Sequence, residues 1–430
     1  MEESMRARAL TSNRAHFWRV LPLAAGLTAL AVLAAACGGG TSAGGPSVVK
    51  IGLLVDLTGD LGSYGKVWEN SFELARDEIN QAGGLPGGAK IETVVQDEKT
   101  NAQVAVAAAQ QMIDLDHVSA IVGPTSEAMV ALVPLAQRDK IPVLSEAAGT
   151  ITLNKLGGQY IYRTVASDNS DGLAAAKFVA DQGATSTVVL YENAESPASV
   201  GTTFQTSFTK LGGTVTDKVA INPGQSSYQA EVAKALAGNP AWIFCACGQQ
   251  TSPTILKEAA SAGYRGKWML AADSVVPDTI KAAGASVMNG DYGESAAADT
   301  NLPAYKVFAQ AYAAKYGQSQ QDLSTLFAAN AYDAMILVGL AMVQAGSTTG
   351  QAINDNLRKV ANPPGTTVTS YAQGVKEIQA GHKINYEGAS GPVDFDSSGT
   401  VTSAYSISQV QSGQWVEVKF YSADVFAGLS

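Results

Sequence analysis

The residues of this chain that could do chemistry are better suited to holding a molecule than to breaking one. Acid–base or metal-assisted catalysis at neutral pH usually recruits histidine, and the chain has only three: His16, His117 and His382. Neither of the latter two stands at a spacing expected of a metal site or a catalytic triad. No Gly-x-Ser-x-Gly elbow joins an apolar strand to a helix, and the His-Glu-x-x-His helix and the Walker A run are missing, so no catalytic residue, cofactor or metal is expected. Cys245 and Cys247 lie two apart in the apolar run Ala241-Trp242-Ile243-Phe244-Cys245-Ala246-Cys247. On a strand they share one face, bridging them would strain disulfide geometry, and no His stands by to complete a zinc site. Packed, reduced thiols are expected. Binding has better candidates. Gly123-Pro124-Thr125-Ser126-Glu127 follows an apolar run and opens a helical pattern. Ser126 can cap that helix, Glu127 suits its positive end, and backbone N–H groups there can hold a carboxylate. Ser145-Glu146-Ala147-Ala148-Gly149-Thr150 is a second such turn, and Tyr64 sits on a glycine-rich loop where an aromatic fits a ligand wall.

These turns need elements to carry them. Val48–Leu57, Ile91–Gln96, Val118–Val122 and Ile141–Leu144 read as apolar strands, with helical patterns at Lys66–Gln81, Ala102–Ile113 and Ser126–Gln137 between them. A second series begins after Thr164: strands at Thr187–Tyr191, Thr214–Ile221, Ala241–Cys247 and Trp268–Ala271, again alternating with helices. Continuous apolar strands between helices predict parallel sheets covered on both faces, so the fold class is α/β with two similar lobes. Pro303–Tyr316, Leu323–Ala345 and Thr349–Val360 read as three long helices without strands of their own, expected to pack back onto the first lobe. A β-rich tail from Gly391 to Val418 is expected on the second.

Of the 430 residues, 46% are hydrophobic and 15% charged, and the formal net charge is −10. Residues 1–36 hold four Arg and two acids, so their removal leaves −12. An acidic body without a Lys/Arg cluster argues against nucleic acid and against charge-driven lipid binding. Arg6, Arg8, Arg14 and Arg19 precede an apolar stretch from Val20 to Ala36, broken by Pro22, Gly26 and Thr28. That order predicts an export signal over residues 1–36 rather than a permanent span. Cys37 follows three alanines and opens a Gly/Ser/Thr run, which resembles a bacterial lipoprotein signal. Its Cys37 would carry the lipid, with residues 37–47 as a flexible tether.

From Val48 onward the chain resembles the branched-chain amino-acid type of periplasmic binding protein, the Leu/Ile/Val-binding family. The markers are Ile51-Gly52-Leu53-Leu54 with Thr58-Gly59 and Tyr64-Gly65, Ala75-Arg76-Asp77-Glu78-Ile79-Asn80, Ile121-Val122-Gly123-Pro124 and Tyr162-Arg163-Thr164 with Asp168. Ala331-Tyr332-Asp333-Ala334 and Phe395-Asp396 with Gly399 follow. The resemblance implies two Rossmann-like lobes joined by three crossings, the first from 48–164 and 295–387, the second from 165–294 and 388–430. It implies a ligand cleft between them, lined by Tyr64, by Thr125, Ser126 and Glu127, and by Ala147, Ala148, Gly149 and Thr150. On the second lobe it points to Ser196, at the place of a family tyrosine, to Gln249, at the place of an aromatic contact, and to Asp273, where the family sets an acid against the ligand's ammonium. Expected partners are a small amino acid or a polar or amide analogue, ABC permease subunits and, through the anchor, the outer face of the cytoplasmic membrane. The protein itself is expected to act as a monomer, either in import or as an extracellular sensor.

Overall fold

The apolar runs become strands in the computed structural model, which describes residues 47–317 and 322–426. β1 (Val48–Val55), β2 (Lys90–Asp97), β3 (Ile121–Val122), β4 (Val143–Ser145) and β5 (Ile161–Arg163) form a parallel sheet in the order β2-β1-β3-β4-β5. β6 (Ser186–Glu192), β7 (Thr214–Ile221), β8 (Trp242–Ala246), β9 (Lys267–Leu270) and β10 (Tyr292–Ala297) repeat that winding as β7-β6-β8-β9-β10. β11 (Thr366–Val368), β12 (Ile384–Gly388) and β13 (Gly391–Pro392) make a small third sheet. β14 (Ala404–Gln411) and β15 (Gln414–Tyr421) extend the second sheet antiparallel past β10. The export signal and the lipid-bearing Cys37 expected above lie outside the described residues.

Each main sheet reverses its winding beside the first strand of its series, between β1 and β3 in one and between β6 and β8 in the other. Loops leaving neighbouring strands at such a point diverge to opposite faces and open a crevice at the carboxyl ends. The two sheets thus define two Rossmann-like lobes. Strand β10 stays in the second sheet through Ala297 and the β12–β13 pair closes at Gly388 and Gly391. Both features run a few residues past the positions 294 and 387 expected to end their segments. At the crossings the segments brace one another: Arg163 N–H donates to Gly399 O, Ala166 N–H to Ser403 Oγ, and the Thr400 hydroxyl to Val165 O at 2.9 Å.

Two features of the later helical block differ from the sequence reading. It has strands, β11 to β13, and a helix Tyr371–Gln379 between the first two. Short strands flanked by Pro363-Pro364 and glycines lack a readable period. The helix read from Leu323 begins instead at Ala328, because Phe327 turns into the left-handed region at φ 54°. The helix that follows, Ala328–Ala345, is apolar all round; it is long and hydrophobic enough to span a membrane, but 83% of it is buried within the fold. It serves as the core helix of the first lobe. Among its polar residues, Asp333 is fully buried and accepts from Tyr386 Oη, Ala389 N–H and both the N–H and hydroxyl of Ser390. That makes Asp333 the fastener of the β12–β13 turn.

The Cys expectation is corrected. Cys245 and Cys247 form a disulfide, with their Cα atoms 5.4 Å apart. Two residues of a fully extended strand span about 6.6 Å. β8 ends at Ala246, and with Cys247 past the strand end the pair sits closer than an extended one, near the commonest bridging separation.

Candidate functional site

The loop after β1 is built to hold a side chain in the cleft. The buried Asp56 carboxylate accepts from Gly59 N–H, Leu61 N–H and the Thr100 hydroxyl, while Asp97 accepts from Leu57 N–H. Helix Gly62–Gln81 then starts hard against β1: a Cβ on Gly65 would lie 2.0 Å from Asp56 O, so only glycine fits. The result fixes Asp60, Tyr64 and Trp68 on one rim. Gly123, at φ 105° with Leu54 O 2.8 Å from its missing Cβ, makes the equivalent close turn after β3.

Between the lobes lies a cavity of about 150 Å³. It is small beside the 300–1,000 Å³ that is about usual for drug-sized ligands, and suits a compact metabolite. Asp60 reaches it from the β1 loop and Tyr64 from the first turn of helix Gly62–Gln81 rather than from the loop expected; Thr125 reaches it from the β3 loop, Ser126 and Glu127 from the start of helix Ser126–Asp139, and Ala147 from the β4 loop. The facing wall is Glu192, Ala194, Ser196 and Pro197 after β6, Gly248 after β8, and Asp273 after β9. Both switch points thus open onto one space. A smaller pocket of about 20 Å³, room for a single water, adjoins it through Ala147, Ser196, Pro197, Asp273 and Phe327, and reaches Gly149, Asp168, Asp171 and Glu294.

The sequence-derived candidates divide. Tyr64, Thr125, Ser126, Glu127, Ala147, Ser196 and Asp273 all line the larger cavity. Gly149 lines only the smaller one. Ala148 and Thr150 are fully buried and line neither. The reason is how their turn is held. Ser145 Oγ accepts from the N–H groups of Ala147 and Ala148, and the Thr150 hydroxyl donates to Glu195 Oε1 at 2.7 Å. The buried Arg163 guanidinium donates to the carbonyls of Gly149 and Thr150 and to Asn154 Oδ1. Gln249 also lies off the larger cavity. Its amide N–H donates across the cleft to Asp60 O, beside Gln250 on Gly59 O, so Gln249 is a latch between the lobes. The Tyr64 hydroxyl is another, donating to Ala272 O at 2.7 Å, and Glu127 Oε1 accepts from Ser196 N–H. These bonds hold the cleft closed.

The helix cap also differs. Thr125, not Ser126, is the N-cap residue of Ser126–Asp139, and its N–H donates to the buried Glu98. The Ser126 hydroxyl is buried at the cavity without a hydrogen-bond partner. Residues not singled out from sequence include Asp60, Trp68, Glu192, Gly248 and Phe327. Asp60 and Glu192 stand at the carboxyl ends of β1 and β6, a positional signal available to sequence reading. Phe327 gave none, since it reads as part of a helix. Its ring joins Tyr64 and Trp68 in one cluster, with centroids 5.4 to 6.5 Å apart.

The cleft is crowded with carboxyls. Burial above all raises Glu127, and the nearby charges of Glu195 and Asp60 add to it. Glu192 is raised by burial, with Asp60 and Glu127 adding repulsion, against the hydrogen bond from Gly248 N–H. Asp273 keeps some accessible surface, yet the enclosing protein, then Glu127, Glu192, Asp168 and Asp60, push it up to about 8. Closing the lobes places these groups in one another's field.

Comparison with known proteins agrees with this architecture. A curated relative, the leucine-, isoleucine-, valine-, threonine- and alanine-binding protein of Pseudomonas aeruginosa, is 24% identical over 72% of this chain and 82% of its own. The chemotactic signal transduction system substrate-binding protein BasB of Halobacterium salinarum is 26% identical over 84% of this chain and 87% of its own. The crystal structure of a leucine-binding protein from Thermotoga maritima superposes with a TM-score of 0.75 at 24% identity, over 88% of this chain and 99% of that one. The family model for periplasmic binding proteins matches residues 48–414. With two lobes closing on one cavity and that match spanning most of its length, the chain belongs to the periplasmic binding protein family.

Proposed function

We propose that this protein is the extracytoplasmic solute-binding lipoprotein of an ABC importer, holding a small amino acid or a polar or amide analogue between its lobes. The observation that carries this reading is the cavity at the paired switch points, walled by side chains from both lobes. A ligand there touches both rims only when the cleft is shut, so binding favours closure, and the closed form is what a permease recognises. Family membership and Leu/Ile/Val-binding relatives support a binding role over catalysis. The proposed ligand contacts are Tyr64, Thr125, Ser126, Glu127, Ala147, Ser196 and Asp273, with residues 48–164 forming most of the first lobe. Export and lipidation at Cys37 belong to the same proposal, and mass spectrometry of the exported protein tests them: an unmodified Cys37 refutes the anchor.

Isothermal titration against amino acids, amides and small aromatic acids tests the binding role. Heat of binding with lobe closure in small-angle scattering is expected from at least one class. A sensory role is the second reading, favoured by the resemblance to BasB. Co-purification with a permease supports import, and capture by a transducer in its place supports sensing.

A further inference from the structure

Resting on the binding role proposed above, we infer that the ligand is a small organic cation bearing at least two protonated nitrogens and no carboxylate, of the diamine or polyamine class. Four carboxyl side chains face the larger cavity, Asp60 and Glu127 from one lobe and Glu192 and Asp273 from the other, and no Lys, Arg or His is among its described lining residues. The adjoining pocket adds Asp168, Asp171 and Glu294, again without a cation in its lining. Arg163 offsets Asp168 in part, but it lines neither space, its NH groups donate to the carbonyls of Gly149 and Thr150 and to Asn154, and the four carboxyls of the larger cavity have no cation beside them.

A zwitterionic amino acid needs somewhere to put its carboxylate. The obvious place, the start of helix Ser126–Asp139, is already served by the chain's own acids. Glu127 stands in its first turn and Glu98 takes the N–H of Thr125. A ligand carboxylate there would meet like charge with no desolvated cation to offset it.

Two independent features ask for donors and positive charge. The Ser126 hydroxyl is 2% exposed, lines the cavity and has no partner; Glu294 Oε2, fully buried at the adjoining pocket, is equally unpartnered. An ammonium carries three donors and satisfies such acceptors directly. The second feature is the ring cluster. Tyr64, Trp68 and Phe327 all line the same cavity as the acids, the composition that attracts an organic cation through ring faces. Phe327 is held there at a left-handed φ of 54°, a conformation costly for an aromatic residue.

The charge also supplies a reason for ligand-driven closure. Asp60 and Glu127 on one side face Glu192 and Asp273 on the other; burial raises all four carboxyls, and the charges of Asp60 and Glu127 add to it at Glu192 and Asp273. A dication between them converts that repulsion into attraction in the closed state alone.

Isothermal titration of the full chain with putrescine, cadaverine and spermidine, alongside leucine, glutamate and benzoate, tests the inference. The amines are expected to bind at least about tenfold more tightly than leucine, with affinity falling as salt rises. Asp273→Asn and Glu192→Gln are each expected to weaken amine binding by about tenfold or more without lowering the melting temperature, since each keeps the side chain's shape and removes an acid with no cation in the cavity lining. Binding of leucine or benzoate equal to or tighter than that of the amines overturns the inference and leaves the binding role standing. Silence toward the amines overturns it as well, and silence toward the whole panel removes the binding role with it.

Discussion

Glu146 offers a test of the site's floor that needs no ligand. It directly precedes Ala147, is fully buried, and neither carboxyl oxygen has a hydrogen-bond partner outside its own residue. Burial pushes its pKa from 4.5 up to about 8, opposed only by its own backbone N–H. The sign follows from which state holds the proton. Between the unfolded and folded values, the folded chain carries a proton that the unfolded chain has lost. Stability is therefore fully present below about pH 4.5 and declines as pH rises toward 8, by about 1.4 kcal/mol per unit. For this one group the loss between pH 5 and pH 7 is on the order of 2 to 3 kcal/mol. Glu146→Gln keeps the shape of the protonated acid and cannot ionise. Asp273 and Asp291 are also raised to about 8, but their slopes are common to both proteins and cancel in the difference. Urea unfolding followed by tryptophan fluorescence, repeated across this range, is expected to show the variant gaining steadily on the wild type as pH rises. Parallel stability curves for the two proteins would mean that Glu146 is hydrated or paired, and the burial argument would fail.

Other consequences are read more briefly. Tyr64→Phe removes the bond to Ala272 O and leaves that carbonyl unpaired only in the closed form. Closure should weaken by about 1 to 2 kcal/mol, seen as a larger radius of gyration in small-angle scattering of the ligand-bound protein. Gln249→Ala acts in the same direction through the Asp60 latch, and unchanged scattering in both variants would contradict a closing role. Arg163→Met strips the donors from a fully buried turn and should cost about 3 kcal/mol or more in urea unfolding; a loss below the error of the measurement would show the turn to hold itself. Thiol titration of the unfolded, unreduced protein should find neither Cys245 nor Cys247 free, and two reactive thiols there would restore the reduced pair expected from sequence.

The resemblance markers prove instructive once placed. Gly65 and Gly123 recur in it because backbone passes where a side chain would sit. Arg163, Asp333 and Asp396 brace a turn, a hairpin and a crossing; Asp396 Oδ1 accepts from Ser398 N–H and Thr400 N–H. These five markers are thus scaffolding, and they predict architecture better than they predict ligand. The turns after β1 and β3 were legible as cavity-lining positions because strand ends and helix starts leave local signals. In the turn after β4, Ala148 and Thr150 line neither space, and nothing local shows that Ser145, Arg163 and Glu195 have already taken their polar groups.

What the sequence by itself determined is the alternation of strand and helix, the two similar series and the location of the strand-end turns, all set by periodicity and by glycine over short range. Tertiary structure alone decided what those turns meet. Asp60 and Glu192 are more than a hundred residues apart, and only lobe closure puts them on one cavity. Closure also makes Gln249 a latch and turns Phe327 from a helix residue into a cavity wall. The charge of the cleft is a sum over both lobes, and no local pattern records a sum.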